Sequence, residues 1–132
     1  MPGPKKVLIV DDDEGVRLFV EAIMSGEGWV CFEGRTGQDA LDLAESEQPD
    51  LIILDVNMPV MDGFEAFKQL RDSPFTQDIP IIMLTAINTL SDDEQYDERT
   101  MEQKFGVVGP EGFVEKPVDA DFLLQSVMGV MG

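Results

Sequence analysis

The sequence predicts an α/β domain, a parallel sheet of five strands covered by helices on both faces. Three observations predict it. Short, β-rich apolar runs alternate five times with stretches of helical period, the pattern of a doubly wound sheet. The runs at 7–10, 51–54 and 81–84 are almost continuously apolar, as strands covered on both faces must be. The chain has 132 residues, 43% of them hydrophobic, and no Pro/Ser-rich linker or composition shift divides it, so one domain (1–132) with one core is expected. Its crossovers should be right-handed.

The elements follow in order. The first strand is read at 7–10 and ends into Asp11-Asp12-Asp13-Glu14. The helix after it repeats Val16, Phe19, Val20, Ile23 and Met24 at helical spacing and stops at Gly26 and Gly28. A second strand at 29–33 leads to a helix over about 37–46, with Thr36 as its N-cap and Ala40, Leu41 and Ala44 inward. The third strand, 51–54, runs into Asp55, and a third helix follows Asp62-Gly63 with Phe64, Phe67 and Leu70 on one face. The fourth strand, 81–84, ends at Thr85. A fourth helix is expected from Ser91, where Glu94 completes a capping box, and it extends toward Phe105. A fifth strand at 112–114 precedes Lys116-Pro117, and a last helix capped by Asp119 carries Phe122, Leu123, Val127 and Met131.

Composition excludes several functions. A net charge of −18 repels nucleic acid and anionic lipid, so neither direct nucleic-acid binding nor membrane insertion is expected. No apolar run is long enough to cross a bilayer, and the first strand is too short to serve as a secretory signal. The single cysteine, Cys31, cannot form an internal disulfide, which points to the cytoplasm. The absence of histidine excludes a Ser-His-Asp triad and a His-containing zinc site on this chain.

In open α/β sheets, ligands bind beyond the carboxyl ends of the strands, where the strand order reverses. That edge collects Asp11 and Asp12 after the first strand, Asp55 after the third, Thr85 after the fourth and Lys116 just past the fifth. Two carboxylates about 4 Å apart repel by roughly 4 kcal/mol at an effective dielectric near 20, so three acids at one edge are poor design for stability alone. A hard cation such as Mg²⁺ offsets that repulsion. Loop acids also cap helices, and this accounts for Asp12 or Asp13 singly but not for the convergence.

The chain resembles the receiver domain of two-component response regulators over essentially its whole length. The resemblance rests on Val7-Leu8-Ile9-Val10-Asp11-Asp12, on Leu54-Asp55-Val56-Asn57-Met58-Pro59-Val60-Met61-Asp62-Gly63, on Leu84-Thr85-Ala86, and on Gly112-Phe113-Val114-Glu115-Lys116-Pro117. It implies the flavodoxin-like (βα)5 fold with strand order 2-1-3-4-5. It implies Asp55 as the acceptor of a phosphoryl group from a sensor histidine kinase or a His-phosphotransfer protein. Asp11, Asp12, Asp55 and the backbone carbonyl of Asn57 would hold Mg²⁺, with Mn²⁺ as a substitute. Thr85, Ala86 and Lys116 would receive the phosphoryl oxygens, Phe113 would be the aromatic switch, and the peptide before Pro117 would be cis. A downstream protein partner would read the face made by the fourth helix and fifth strand. The chain would act as a monomer or a phosphorylation-dependent dimer. It would be a phosphoacceptor that promotes its own phosphorylation and slow dephosphorylation, not an enzyme acting on other substrates.

Some points stay open in the residues themselves. The run Asp11-Asp12-Asp13 permits a one-residue slip in the metal pair, and Phe113 could be plain core. The segment at about 87–112 is longer than the family pattern, so the output face could be unusual. Apolar Ile87, two residues after Thr85, would hinder water and lengthen the phosphate's life. Beginning at Met1 and ending after the last helix, the chain is expected to be free-standing. A flavin module would need a Ser/Thr/Gly-rich loop where four acids stand, an Asp-x-Asp phosphatase lacks its second acid at Asn57, and a Ca²⁺ loop fails at Ala22. The remaining alternative is a phosphate-independent interaction module on the same fold.

Overall fold

The computed structural model describes residues 3–56, 63–86 and 110–131. Five parallel strands lie in the order β2-β1-β3-β4-β5. They are β1 (Lys6–Val10), β2 (Val30–Gly34), β3 (Leu51–Asp55), β4 (Ile81–Ala86) and β5 (Gly112–Lys116). The described helices are α1 (Glu14–Gly26), α2 (Gly37–Glu47), α3 (Gly63–Asp72) and the C-terminal helix, here α4 (Ala120–Met131). The helix expected from Ser91, the lengthened segment up to residue 109, Asn57, Ile87 and the side chains of Phe64 and Ala86 lie outside what is described.

Period-two alternation sorts the sheet residues between two cores. Leu8, Val10, Ile52, Leu54, Ile81 and Met83 face α2 and α3. Val7, Ile9, Leu51, Ile53, Ile82, Leu84 and Val114 face α1 and α4. Every residue of β3 is buried, which explains its continuous apolar run and makes the aspartate at its end conspicuous.

Helix ends follow local chemistry. Asp13 caps α1, its Oδ1 accepting from the amides of Gly15 at 2.8 Å and Val16 at 3.3 Å. The helix closes in a Schellman motif: Gly28, at φ 88°, donates to Ser25 and Trp29 donates to Met24. Thr36 caps α2 through the Asp39 amide, and Asp119 accepts from the amide of Phe122.

The inward faces are narrower than the apolar pattern predicts. Phe19 and Phe122, placed on the core-facing stripes by spacing, are 47% and 50% exposed. Each lies one residue, about 100° of helix, from the line that meets the sheet (Val20 and Met24 in α1, Leu123 and Val127 in α4). Leu41 and Met131 are partly buried at the core margins.

Candidate functional site

Strands β3, β4 and β5 run one or two residues beyond their apolar cores, because a parallel ladder is made of backbone groups and continues through polar side chains. Asp55 is therefore the last residue of β3, Thr85 and Ala86 close β4, and Glu115-Lys116 close β5. In register, Asp55 sits opposite Leu84, Thr85 opposite Glu115 and Ala86 opposite Lys116. Asp11 follows β1 directly and is tied to β2 by its amide, which donates to the Gly34 carbonyl at 3.1 Å.

Asp11, Asp55 and Thr85 are buried at this edge, whereas Asp12 is exposed. Carboxylate oxygens of Asp11, Asp12 and Asp55 lie within 4.8 Å of one another. Lys116 bridges the two buried acids, with Nζ 2.9 Å from Asp11 Oδ2 and 3.2 Å from Asp55 Oδ1. Burial by itself pulls the Lys116 ammonium toward a lower pKa. Its hydrogen bond to Asp11, the charges of Asp55 and Asp11 and the bond to Asp55 together outweigh that, and the pKa ends above its ordinary 10.5. Lys116 is thus a fixed cation at neutral pH.

Asp13 Oδ1 is engaged in capping α1, and the oxygen group is made by Asp11 and Asp12 with Asp55 rather than by the slipped pair. Three acids against one ammonium still leave two negative charges at the edge. Each pair of acids within that spacing repels by about 3.5 kcal/mol or more at an effective dielectric near 20. The donor set is all oxygen, as Mg²⁺ prefers, and the open side at Asp12 leaves room for water ligands. These residues fit a hard divalent cation.

The Lys116–Pro117 peptide is cis. Beside it, a cleft of about 420 Å³ is lined by Asp13, Gly15, Val16, Phe19, Lys116, Pro117 and Val118, so one of its walls is the same lysine that holds Asp55. Phe113 is half-buried against the α2/α3 core.

Two contributors escaped the sequence reading. Arg17 is 4% exposed, and its Nη1 donates to the Asp11 carbonyl at 2.7 Å. Its signal was a charge in line with Val20 and Met24 on the buried stripe of α1. Gly63 is the other. Its amide donates to the Val56 carbonyl at 3.0 Å, and its α-carbon lies so close to β3 that a Cβ would collide with the backbone of Asp55 and Val56. The Asp62-Gly63 pair was legible as a helix start, but the contact with the candidate phosphoacceptor was not.

The response regulator receiver domain family matches residues 7–128. The polar-differentiation response regulator DivK of Brucella anthropi is 32% identical over 130 residues, 98% of either chain. The sporulation initiation phosphotransferase F of Bacillus subtilis is 33% identical over 123 residues, 93% of this chain and 90% of that one. Among solved structures, a chemotaxis protein CheY4 of Vibrio cholerae superposes with TM-score 0.79 at 30% identity, covering 97% of this chain and 99% of that one. The receiver domain of the sensor histidine kinase PA1611 of Pseudomonas aeruginosa, with magnesium coordinated in its active-site cleft, superposes with TM-score 0.79 at 25% identity, over 98% and 99% of the two chains.

Proposed function

This chain belongs to the response regulator receiver domain family and serves two-component phosphorelay signalling, and from that premise we propose that Asp55 is its phosphoacceptor. The single observation that carries the assignment is the position of Asp55. It is a buried carboxylate at the end of a wholly apolar strand, within ion-pair reach of Lys116 and in one oxygen cluster with Asp11 and Asp12.

The donor is a phosphohistidine on a sensor kinase or His-phosphotransfer protein, and the cleft floored by Val16 and Phe19 beside Lys116 is where we place its approach. An Asp55 carboxylate oxygen attacks phosphorus, the new O–P bond forms, and the P–N bond breaks with its electron pair leaving on the imidazole. Asp11, Asp12, Asp55 and the backbone carbonyl of Asn57 would hold Mg²⁺ (or Mn²⁺), which when bound would supply the charge neutralisation that an anionic phosphoryl group needs on meeting three acids. Lys116 holds the Asp55 carboxylate before transfer and a phosphoryl oxygen after it. The Thr85 hydroxyl and the end of β4 at Ala86 take the others, and Phe113 turns with Thr85 as the partner-facing surface changes. Because the acceptor is consumed in the reaction, the chain is a signalling phosphoacceptor, with slow self-hydrolysis as its only turnover.

The test is intact mass after incubation with Mg²⁺ and acetyl phosphate, for wild type and Asp55→Ala. A labile gain of one phosphoryl group that needs Mg²⁺ and vanishes in the variant establishes the acceptor. No gain in folded wild type would replace this reading with a phosphate-independent interaction module.

A further inference from the structure

Arg17 is a buried cation that no step above uses. Its guanidinium Nη1 donates to the Asp11 carbonyl at 2.7 Å, and its Nε lies 3.4 Å from Glu33 Oε1. Burying a guanidinium is costly unless it is well paired. Glu33 is a modest partner, because its side chain is 37% exposed and its charge is screened by solvent. The short, charge-assisted bond to the carbonyl is the stronger contact.

That carbonyl belongs to the peptide joining Asp11 to Asp12, the buried and the exposed members of the acid cluster. A peptide unit is planar, so holding its oxygen fixes the rotation of the whole plane. The plane in turn sets the backbone from which the Asp12 side chain projects. The other contacts at this turn hold different atoms: the Asp11 amide is bound to Gly34, and the Asp13 amide donates to Asp11 Oδ1 at 2.9 Å.

We infer that Arg17 is a positioning residue for the divalent cation: by gripping the Asp11 carbonyl it aims Asp12 into the oxygen cluster. This rests on the metal assignment above. A merely structural arginine would knit α1 to the sheet and leave metal affinity alone. Arg71 provides that comparison. It is equally buried, bonded to the carbonyls of Gln77 and Ile79 and to Glu111, which pairs with the far end of β4 through the Ile81 amide.

The experiment is Mg²⁺ titration calorimetry on the full chain, with thermal melts, for wild type, Arg17→Met, Arg17→Lys and Arg71→Met. Outer contacts of metal ligands commonly set affinity by about tenfold or more, so Arg17→Met should bind Mg²⁺ about tenfold more weakly. Arg17→Lys should fall between it and wild type, since an ammonium reaches the carbonyl without the Glu33 contact. Arg71→Met should lose stability and keep wild-type affinity. A folded Arg17→Met within threefold of wild type overturns the inference, as does an equal loss in Arg71→Met. Should Arg17→Met fail to fold, Arg17→Lys decides: a loss beyond twofold supports positioning and a smaller one overturns it. Wild type that binds no Mg²⁺ would strike the metal assignment itself, and this inference with it.

Discussion

Replacing Gly63 with alanine should damage the fold and the proposed acceptor, Asp55, together. An ideal Cβ there would stand 2.5 Å from Val56 Cα and 2.8 Å from the Asp55 carbonyl carbon, and closer still to the Asp55 oxygen. These are backbone atoms at and just past the end of the central strand, which cannot rotate aside as a side chain can. Overpacking typically costs about 1–3 kcal/mol, and rigid backbone puts this site at the upper end, about 3 kcal/mol. Alanine's better helix propensity returns at most about 1 kcal/mol, leaving a net loss of about 2 kcal/mol. For a chain of 132 residues that is a fall in Tm of about 8 °C. The strain is relieved by pushing α3 off the strand or by moving Asp55 from Lys116, now 3.2 Å away, so phosphorylation by acetyl phosphate should slow by about tenfold or more. Gly129→Ala is the control. It sits inside α4 with nothing within 4 Å of the added carbon, and it should gain about 0.5–1 kcal/mol. Melts followed by circular dichroism, with mass-resolved phosphorylation rates, test both. A Gly63→Ala protein that melts within about 2 °C of wild type and phosphorylates normally would refute the close-approach argument.

Other outcomes follow from the same structure. Lys116 has a raised folded pKa, so the stability it contributes is complete below the ordinary 10.5 and is lost as pH rises through the folded value. The stability difference between wild type and Lys116→Met, from urea unfolding in Mg²⁺-free buffer, should be flat from about pH 6 to 9 and shrink only in strong alkali; shrinkage near neutrality would contradict the pairing. Mg²⁺ at about 100 times its Kd should stabilise wild type by about 2.7 kcal/mol, and Asp12→Asn should lose most of that thermal shift. The Cys31 thiol has its pKa raised by burial first and then by Glu21 and Glu33, so it carries less thiolate near pH 8. It should alkylate more slowly than glutathione, with a rate profile displaced to higher pH, and an equal rate would count against it. Glu111→Ala removes both 2.8 Å contacts to Arg71 and the acceptor of the Ile81 amide, and it should cost about 2–4 kcal/mol in urea unfolding without changing Mg²⁺ affinity.

The apolar runs and helical spacings were enough to place every described strand and helix, because buried parallel strands and amphipathic helices write their burial into local pattern. The caps at Thr36 and Asp119 and the stop at Gly28 were legible for the same reason, their partners lying within a few residues, and the first cap was narrowed to Asp12 or Asp13, of which the structure uses Asp13. So was the gathering of Asp11, Asp12, Asp55, Thr85 and Lys116 at one edge, since a parallel sheet sends the carboxyl end of every strand the same way. Misjudgements came where side chains choose a neighbour. Phe19 and Phe122 are apolar at core-like spacing, yet the sheet meets each helix along a narrower line.

Local pattern therefore determined which elements form, in what order, and which chemical groups share the site's edge. Only the tertiary structure decided that Asp55 and Asp11 share one lysine while Asp12 faces solvent. It also decided that Arg17 grips the Asp11 carbonyl and that Gly63 lies against the backbone of Asp55 and Val56. Those contacts depend on strand register and on the height at which each helix crosses the sheet. Both are set by packing between residues far apart in the chain, and a short sequence window does not contain them.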